Sequence, residues 1–226
     1  MQKAIIFGCA GLVLTKEEKK FFSTTNPWGF ILFGRNIKNP TQLKLLTDSL
    51  QDVVGRNVPI LIDQEGGRVE RLSKPYWRTW MPPLEQMQLV PEALSMRAMW
   101  LRYRIIGEEL KNVGINVNCA PIGDLANSLT HKVLLNRCYG DIPKIVIQAG
   151  KACANGLMDS GVLPVLKHIP GHGRADVDSH LELPKVMTSL KELSESDFSI
   201  FKSLNDIPLG MTAHVLFEKI DKTFPA

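Results

Sequence analysis

Cysteine is scarce in this chain. The four cysteines at 9, 119, 138 and 153 form no CxxC pair and no closely spaced framework. That spacing argues against a disulfide-stapled scaffold or a zinc knuckle, and fits reduced thiols in a cytoplasmic protein. Long apolar runs are missing too: none approaches the roughly 20 residues a membrane span requires. Charge is not blocked by sign. Lys and Arg number 27 against 23 Asp and Glu, a net +4, but the basic residues are scattered. A nucleic-acid partner would call for a basic patch or stripe. There is no low-complexity linker and no repeat of 20–50 residues. No GxGxxG follows a strand-like run, so a nucleotide-binding sheet finds no support.

What is there is ordinary for a globular chain: 44% hydrophobic and 22% charged residues. At 226 residues the chain can bury its own core, and residues 1–226 read as a single domain. Lys3 and the apolar residues 4–14 have the look of a short leader. However, they run directly into Thr15-Lys16-Glu17-Glu18, a capping-box pattern that opens a helix. The spacing therefore predicts a first buried strand over residues 4–7. Further strand-like runs fall at 29–33, 59–62, 116–120, 162–166 and 209–212. Helix-like segments fall between them at 16–23, 41–54, 91–113, 143–160 and 189–204. Such alternation implies parallel βαβ units.

Nearly every predicted strand ends in groups that can touch a ligand. Gly34-Arg35-Asn36, Asp63-Gln64-Glu65, Gly123-Asp124, Lys167-His168 and Ala213-His214 each follow one. A (β/α)8 barrel of the TIM type gathers its site at those C-terminal strand ends. The α/β class and this barrel are the predicted architecture. Six βα units are counted where a closed barrel has eight. Either residues 123–179 conceal a strand, or the chain stops before the barrel closes.

Residues 167–180 concentrate the chemistry: three histidines, two aspartates, a lysine and an arginine in fourteen positions. His168, His172, Asp178 and His180 could ligate a metal, but the interspersed glycines and proline indicate an irregular loop, so no metal is assigned. The bland alternative is that the histidines hydrogen-bond and rigidify the loop, and for His172 it is the favoured one. His180 lies two residues after Asp178, whose carboxylate can hold the imidazole and bring its pKa toward neutrality, as suits a general acid/base. Asp63 can bind vicinal sugar hydroxyls or simply pair with Arg68 or Arg71. Taken alone, Arg137 reads as solvated.

The segments Trp28–Asn36, Asp63-Gln64-Glu65-Gly66-Gly67-Arg68-Val69-Glu70-Arg71, Lys167-His168-Ile169-Pro170-Gly171-His172-Gly173, Asp178-Ser179-His180 and Met211-Thr212-Ala213-His214 come in an order that resembles glycoside hydrolase family 3. They look most like the bacterial cytoplasmic β-N-acetylglucosaminidases of peptidoglycan recycling. The resemblance implies a TIM-type barrel and a retaining hydrolase that removes terminal β-linked N-acetylglucosamine from muropeptides. It implies no cofactor. By motif position, Asp63, Arg71, Arg137, Lys167 and His168 would bind the sugar, and His180 with Asp178 would serve as the catalytic pair. A histidine would thus replace the usual acid/base carboxylate. Asn136-Arg137-Cys138-Tyr139 stands where the family usually has Glu-Arg-Ser-Tyr, and the arginine is kept. The family's nucleophilic aspartate would lie beyond residue 226. The expectation is a C-terminally truncated form, inactive alone, whose uncovered barrel edges favour self-association.

Overall fold

The computed structural model describes residues 1–128, 130–175 and 182–226. The chain begins with β1 (Lys3–Phe7), α1 (Lys16–Thr25), β2 (Pro27–Leu32), α2 (Pro40–Val54), β3 (Ile60–Ile62), α3 (Pro83–Leu89), α4 (Glu92–Asn112) and β4 (Val117–Asn118). It continues with α5 (Lys132–Leu135), α6 (Pro143–Ser160), β5 (Leu163–Ile169), β6 (Lys185–Val186), α7 (Leu190–Glu195), α8 (Asp197–Ser203), β7 (Leu209–Thr212) and β8 (Leu216–Phe217). Six strands form one parallel sheet in the order β1-β2-β3-β4-β5-β7, and β6 pairs with β8 apart from it. This is the sequential parallel order of a TIM-type barrel, carried here by six strands. Residues 123–175 add α5, α6 and β5 but no unread strand among the described residues.

Local chemistry explains where the elements start and stop. The Thr15 hydroxyl accepts the Glu18 N–H at 3.1 Å, and the Glu18 carboxylate accepts the Thr15 N–H at 2.9 Å, closing the predicted capping box. Asn39 caps α2 by accepting the Gln42 N–H, with Pro40 at the first helical position. Helix α6 starts at Pro143 and stops at Gly161, which turns left-handed at φ +84°.

Strand β3 shows how the layers form. Side chains alternate across a strand, so Ile60 and Ile62 enter the large core beneath the helices, while Leu61 joins Val117, Cys119 and Val165 on the opposite face. All three β3 residues are buried, as expected of a central parallel strand. The long helices α4 and α6 pack against each other so closely that a Cβ on Gly156 would lie 2.4 Å from the Trp100 carbonyl oxygen.

Two expectations are corrected. Strand β1 forms but is not buried: Lys3 to Ile6 are exposed, with Ile5 and Ile6 at 40% and 42%. Among the described residues it pairs only with β2, and an apolar run is buried only if neighbours cover it. The helix predicted over 189–204 is two. Ser196 leaves helical geometry at φ −119°, ψ −95°, where its hydroxyl and Asp197 meet Arg174. The short helices α3 and α5 and the β6–β8 pair carry too little periodicity to be read from sequence.

Candidate active site

The inner face of the sheet delivers the first pair of charges. Leu61 and Val165 face the inner cluster. Two residues further, Asp63 and Lys167 emerge on the same side above them. They meet: Lys167 Nζ donates to Asp63 Oδ1 at 2.8 Å. The second Asp63 oxygen is 3.4 Å from Arg71 Nη2. Both Asp63 and Arg71 keep some exposure toward a pocket of about 490 Å³.

Beneath this pair sits Glu65, which has no exposed surface. Its Oε1 accepts from Lys167 at 2.6 Å, and its two oxygens take Arg137 in a fork at 2.8 and 2.9 Å. Burial alone would raise the Glu65 carboxyl; the cations of Lys167 and Arg137 outweigh it and hold the pKa at about 2. Lys167 shows the mirror image. Burial would lower its pKa, but Glu65 and Asp63 raise it. Glu65 and Lys167 therefore hold each other in the charged form.

A second cluster adjoins it. Asp124, fully buried, accepts from His168 Nδ1 at 2.7 Å through Oδ2 and from the His172 backbone N–H at 2.7 Å through Oδ1. Burial opposes its charge, yet His168 and those hydrogen bonds keep its pKa below the ordinary value. On its other side His168 presents Nε2 3.5 Å from Arg137 Nη2. The floor thus runs without a break from Arg71 through Asp63, Lys167, Glu65, Arg137 and His168 to Asp124.

Supporting residues hold the backbone that carries Arg71 and Glu65. The Gln64 side chain accepts the Arg71 and Leu72 N–H groups and donates to the Leu72 carbonyl, fixing the loop that carries Arg71. Arg102, buried in α4, donates to the carbonyls of Glu65 and Met81 and to the Gln86 side chain. Gly66 gives it room: at φ +98°, a Cβ there would sit 1.9 Å from Arg102 Nη2.

The five sequence-derived sugar-binding candidates, Asp63, Arg71, Arg137, Lys167 and His168, all line one pocket. Arg137 is not the solvated arginine its local sequence suggested, because it is 13% exposed and clasped by Glu65. His172 also lines the pocket, and among the described residues both its ring nitrogens are buried without a hydrogen-bond partner. Its backbone N–H bonds Asp124, and its carbonyl accepts the Ala175 N–H within the loop. Asp178 and His180 lie outside the described residues. Among the described residues no cluster of three or more His, Cys, Asp or Glu could hold a metal. Burial pushes the Cys119 thiol up to about 12, which removes it as a thiolate nucleophile.

Sequence reasoning placed Gln64, Glu65 and Asp124 among the polar groups at strand ends but gave none of them, nor Arg102, a specific role. Glu65 was findable, since it stands two residues after Asp63 and shares its side of the extended chain. Asp124 follows a strand end by a few residues, the position where polar groups recur. Arg102 gave no signal within an amphipathic helix.

Parallel strands whose C-terminal ends converge on a polar pocket define a barrel-type α/β protein with a ligand site at the strand tips. Residues 9–226 match the glycosyl hydrolase family 3 N terminal domain, and the chain belongs to that family. A curated β-hexosaminidase of Alkalilimnicola ehrlichii is 33% identical over 224 residues, covering 96% of this chain and 63% of that protein. The crystal structure of NagZ from Neisseria gonorrhoeae in complex with N-trifluoroacetyl-D-glucosamine superposes with a TM-score of 0.91 at 31% identity, covering 99% of this chain and 65% of that one. A family 3 β-N-acetylglucosaminidase from Paenibacillus sp. str. FPU-7 follows at 0.87 and 31%, covering 97% and 42%. The chain thus spans about 63% of the length of that curated relative. No helix among the described residues is long and apolar enough to cross a membrane.

Proposed function

We propose that this protein is a retaining glycoside hydrolase that removes terminal β-linked N-acetylglucosamine from peptidoglycan fragments in the cytoplasm. The observation that carries the reading is the pocket floor, where Asp63, Arg71, Lys167, Arg137 and His168 converge in one hydrogen-bonded network. A pyranose presents hydroxyls that each donate and accept. Asp63 accepts from such hydroxyls, while Arg71 and Lys167 donate to them. Glu65 keeps Lys167 and Arg137 charged and oriented, so the floor needs no rearrangement when a sugar enters. The cell-wall substrate and the cytoplasmic setting rest on the family resemblance alone; the β-hexosaminidase relative and the sugar-complex structure support only the class of sugar.

In this reading a carboxylate nucleophile, assigned to none of residues 1–226, bonds to the anomeric carbon as the glycosidic bond breaks, and His180, with Asp178 as its partner, gives the leaving oxygen its proton. His180 then takes a proton from the water that hydrolyses the glycosyl-enzyme bond. The exposed edge of β1 is then a surface for self-association. Sugar binding is the direct test. Calorimetric titration of the chain with N-acetylglucosamine should give saturable heat that Asp63→Ala abolishes. Flat traces at millimolar sugar would overturn the proposal. His180→Ala should leave that binding within twofold of the parent while lowering any glycosidase turnover at least a hundredfold.

A further inference from the structure

We propose that Asp124 is a positioning residue that locks His168 in the Nδ1–H tautomer, leaving the Nε2 lone pair to accept a hydrogen bond from a substrate hydroxyl. The acceptor role rests on the sugar-binding reading above; the tautomer rests on geometry alone.

Two independent neighbours specify where the ring proton sits. Asp124 Oδ2 lies 2.7 Å from Nδ1, and an ionised carboxylate only accepts, so Nδ1 carries the hydrogen. On the far side of the ring Nε2 faces Arg137 Nη2 at 3.5 Å, and a guanidinium only donates. A proton on Nε2 would point at another N–H. Arg137 is not free to turn away, because Glu65 holds two of its nitrogens. The ring is therefore fixed as an acceptor toward the pocket. At 3.5 Å the contact with Arg137 is long, so the lone pair is available to a closer hydroxyl. Asp63 is then joined by a second, uncharged acceptor on the same floor.

The carboxylate cannot be replaced by its isosteric amide without a conflict. Asp124 uses both oxygens as acceptors, Oδ1 for the His172 N–H and Oδ2 for His168 Nδ1. Asparagine offers one oxygen and one NH2. If its oxygen stays on the His172 N–H, its NH2 faces Nδ1, which must then accept, and the ring proton moves to Nε2. This makes Asp124→Asn a tautomer switch of nearly unchanged shape.

The experiment uses the full chain with ¹⁵N-labelled histidine. Long-range ¹H–¹⁵N correlation spectra at pH 8 are assigned through His168→Gln and paired with calorimetric titration by N-acetylglucosamine. The parent should show His168 protonated on Nδ1 and bare on Nε2. Asp124→Asn should reverse that pattern and weaken the sugar at least tenfold. A parent ring protonated on Nε2 would overturn the proposal, and this spectrum decides the tautomer even if the variant does not fold. A reversed ring with unchanged affinity would overturn the acceptor role. An Nδ1–H parent spectrum with no sugar heat would instead defeat the sugar reading, and the acceptor role with it, leaving the tautomer assignment intact.

Discussion

Strand β1 and the segments at the C-terminal ends of β3, β4 and β5 invert the usual relation between residue type and burial. The β1 sequence Lys-Ala-Ile-Ile-Phe is mostly apolar and mostly exposed. Glu65, Asp124 and Lys167 are charged, and each is at most 1% exposed. Position in the sheet decides both. The edge strand has one neighbour to bury it, whereas the central tips are enclosed on every side. The buried charges persist because each has a partner of opposite sign or a hydrogen-bond donor within reach.

The largest effect should come from unbalancing the buried charges. Glu65→Gln leaves Lys167 and Arg137 without their shared counter-charge and should cost about 3–5 kcal/mol, read from urea unfolding. A loss under about 1 kcal/mol would mean that the cluster is not dry. Next in size is Ile62→Ala on the central strand, expected to cost about 2–5 kcal/mol through the cavity it leaves.

Acid should find the same weak point. Glu65 has a folded pKa of about 2 against 4.5 for the free group. Its contribution is complete above roughly pH 5 and is lost as pH falls toward 2, with Asp124 acting in the same direction. The urea midpoint should therefore drop between pH 5 and pH 3. An unchanged midpoint would contradict the assigned pairing.

Smaller effects belong to the periphery. Thr15→Ala removes the cap of α1 and should cost about 1 kcal/mol. Ile6→Ala on the exposed edge should stay within about 0.5 kcal/mol, as surface substitutions do. If Ile6→Ala proves as costly as Ile62→Ala, the contrast between edge and centre fails and β1 is covered in solution.

The parts of the fold legible in sequence are those governed by local chemistry. Helix α6 at residues 143–160 and strand β7 at 209–212 coincide with their expected spans, and the Thr15 cap forms. Burial of β1 was not legible, because it depends on neighbours rather than on Ile5 or Ile6. Nor was the break at Ser196, where a tertiary contact from Arg174 prevails over a helical pattern. At the site, Asp63, Lys167 and His168 stood out as polar residues at strand ends. Arg137 looked unremarkable because its partner Glu65 lies 72 positions away. Arg102 was invisible for the same reason: what it holds is backbone that only the folded chain brings near.

The pairing at the floor also bears on capture. Asp63, Glu65 and Asp124 face Arg71, Arg137 and Lys167, three carboxylates against three cations whose charges offset one another. A cancelled floor exerts little pull at a distance, so a neutral ligand would arrive by unguided diffusion, at a rate that added salt barely changes. Selection would begin only at contact, where directional hydrogen bonds rather than field strength separate one ligand from another.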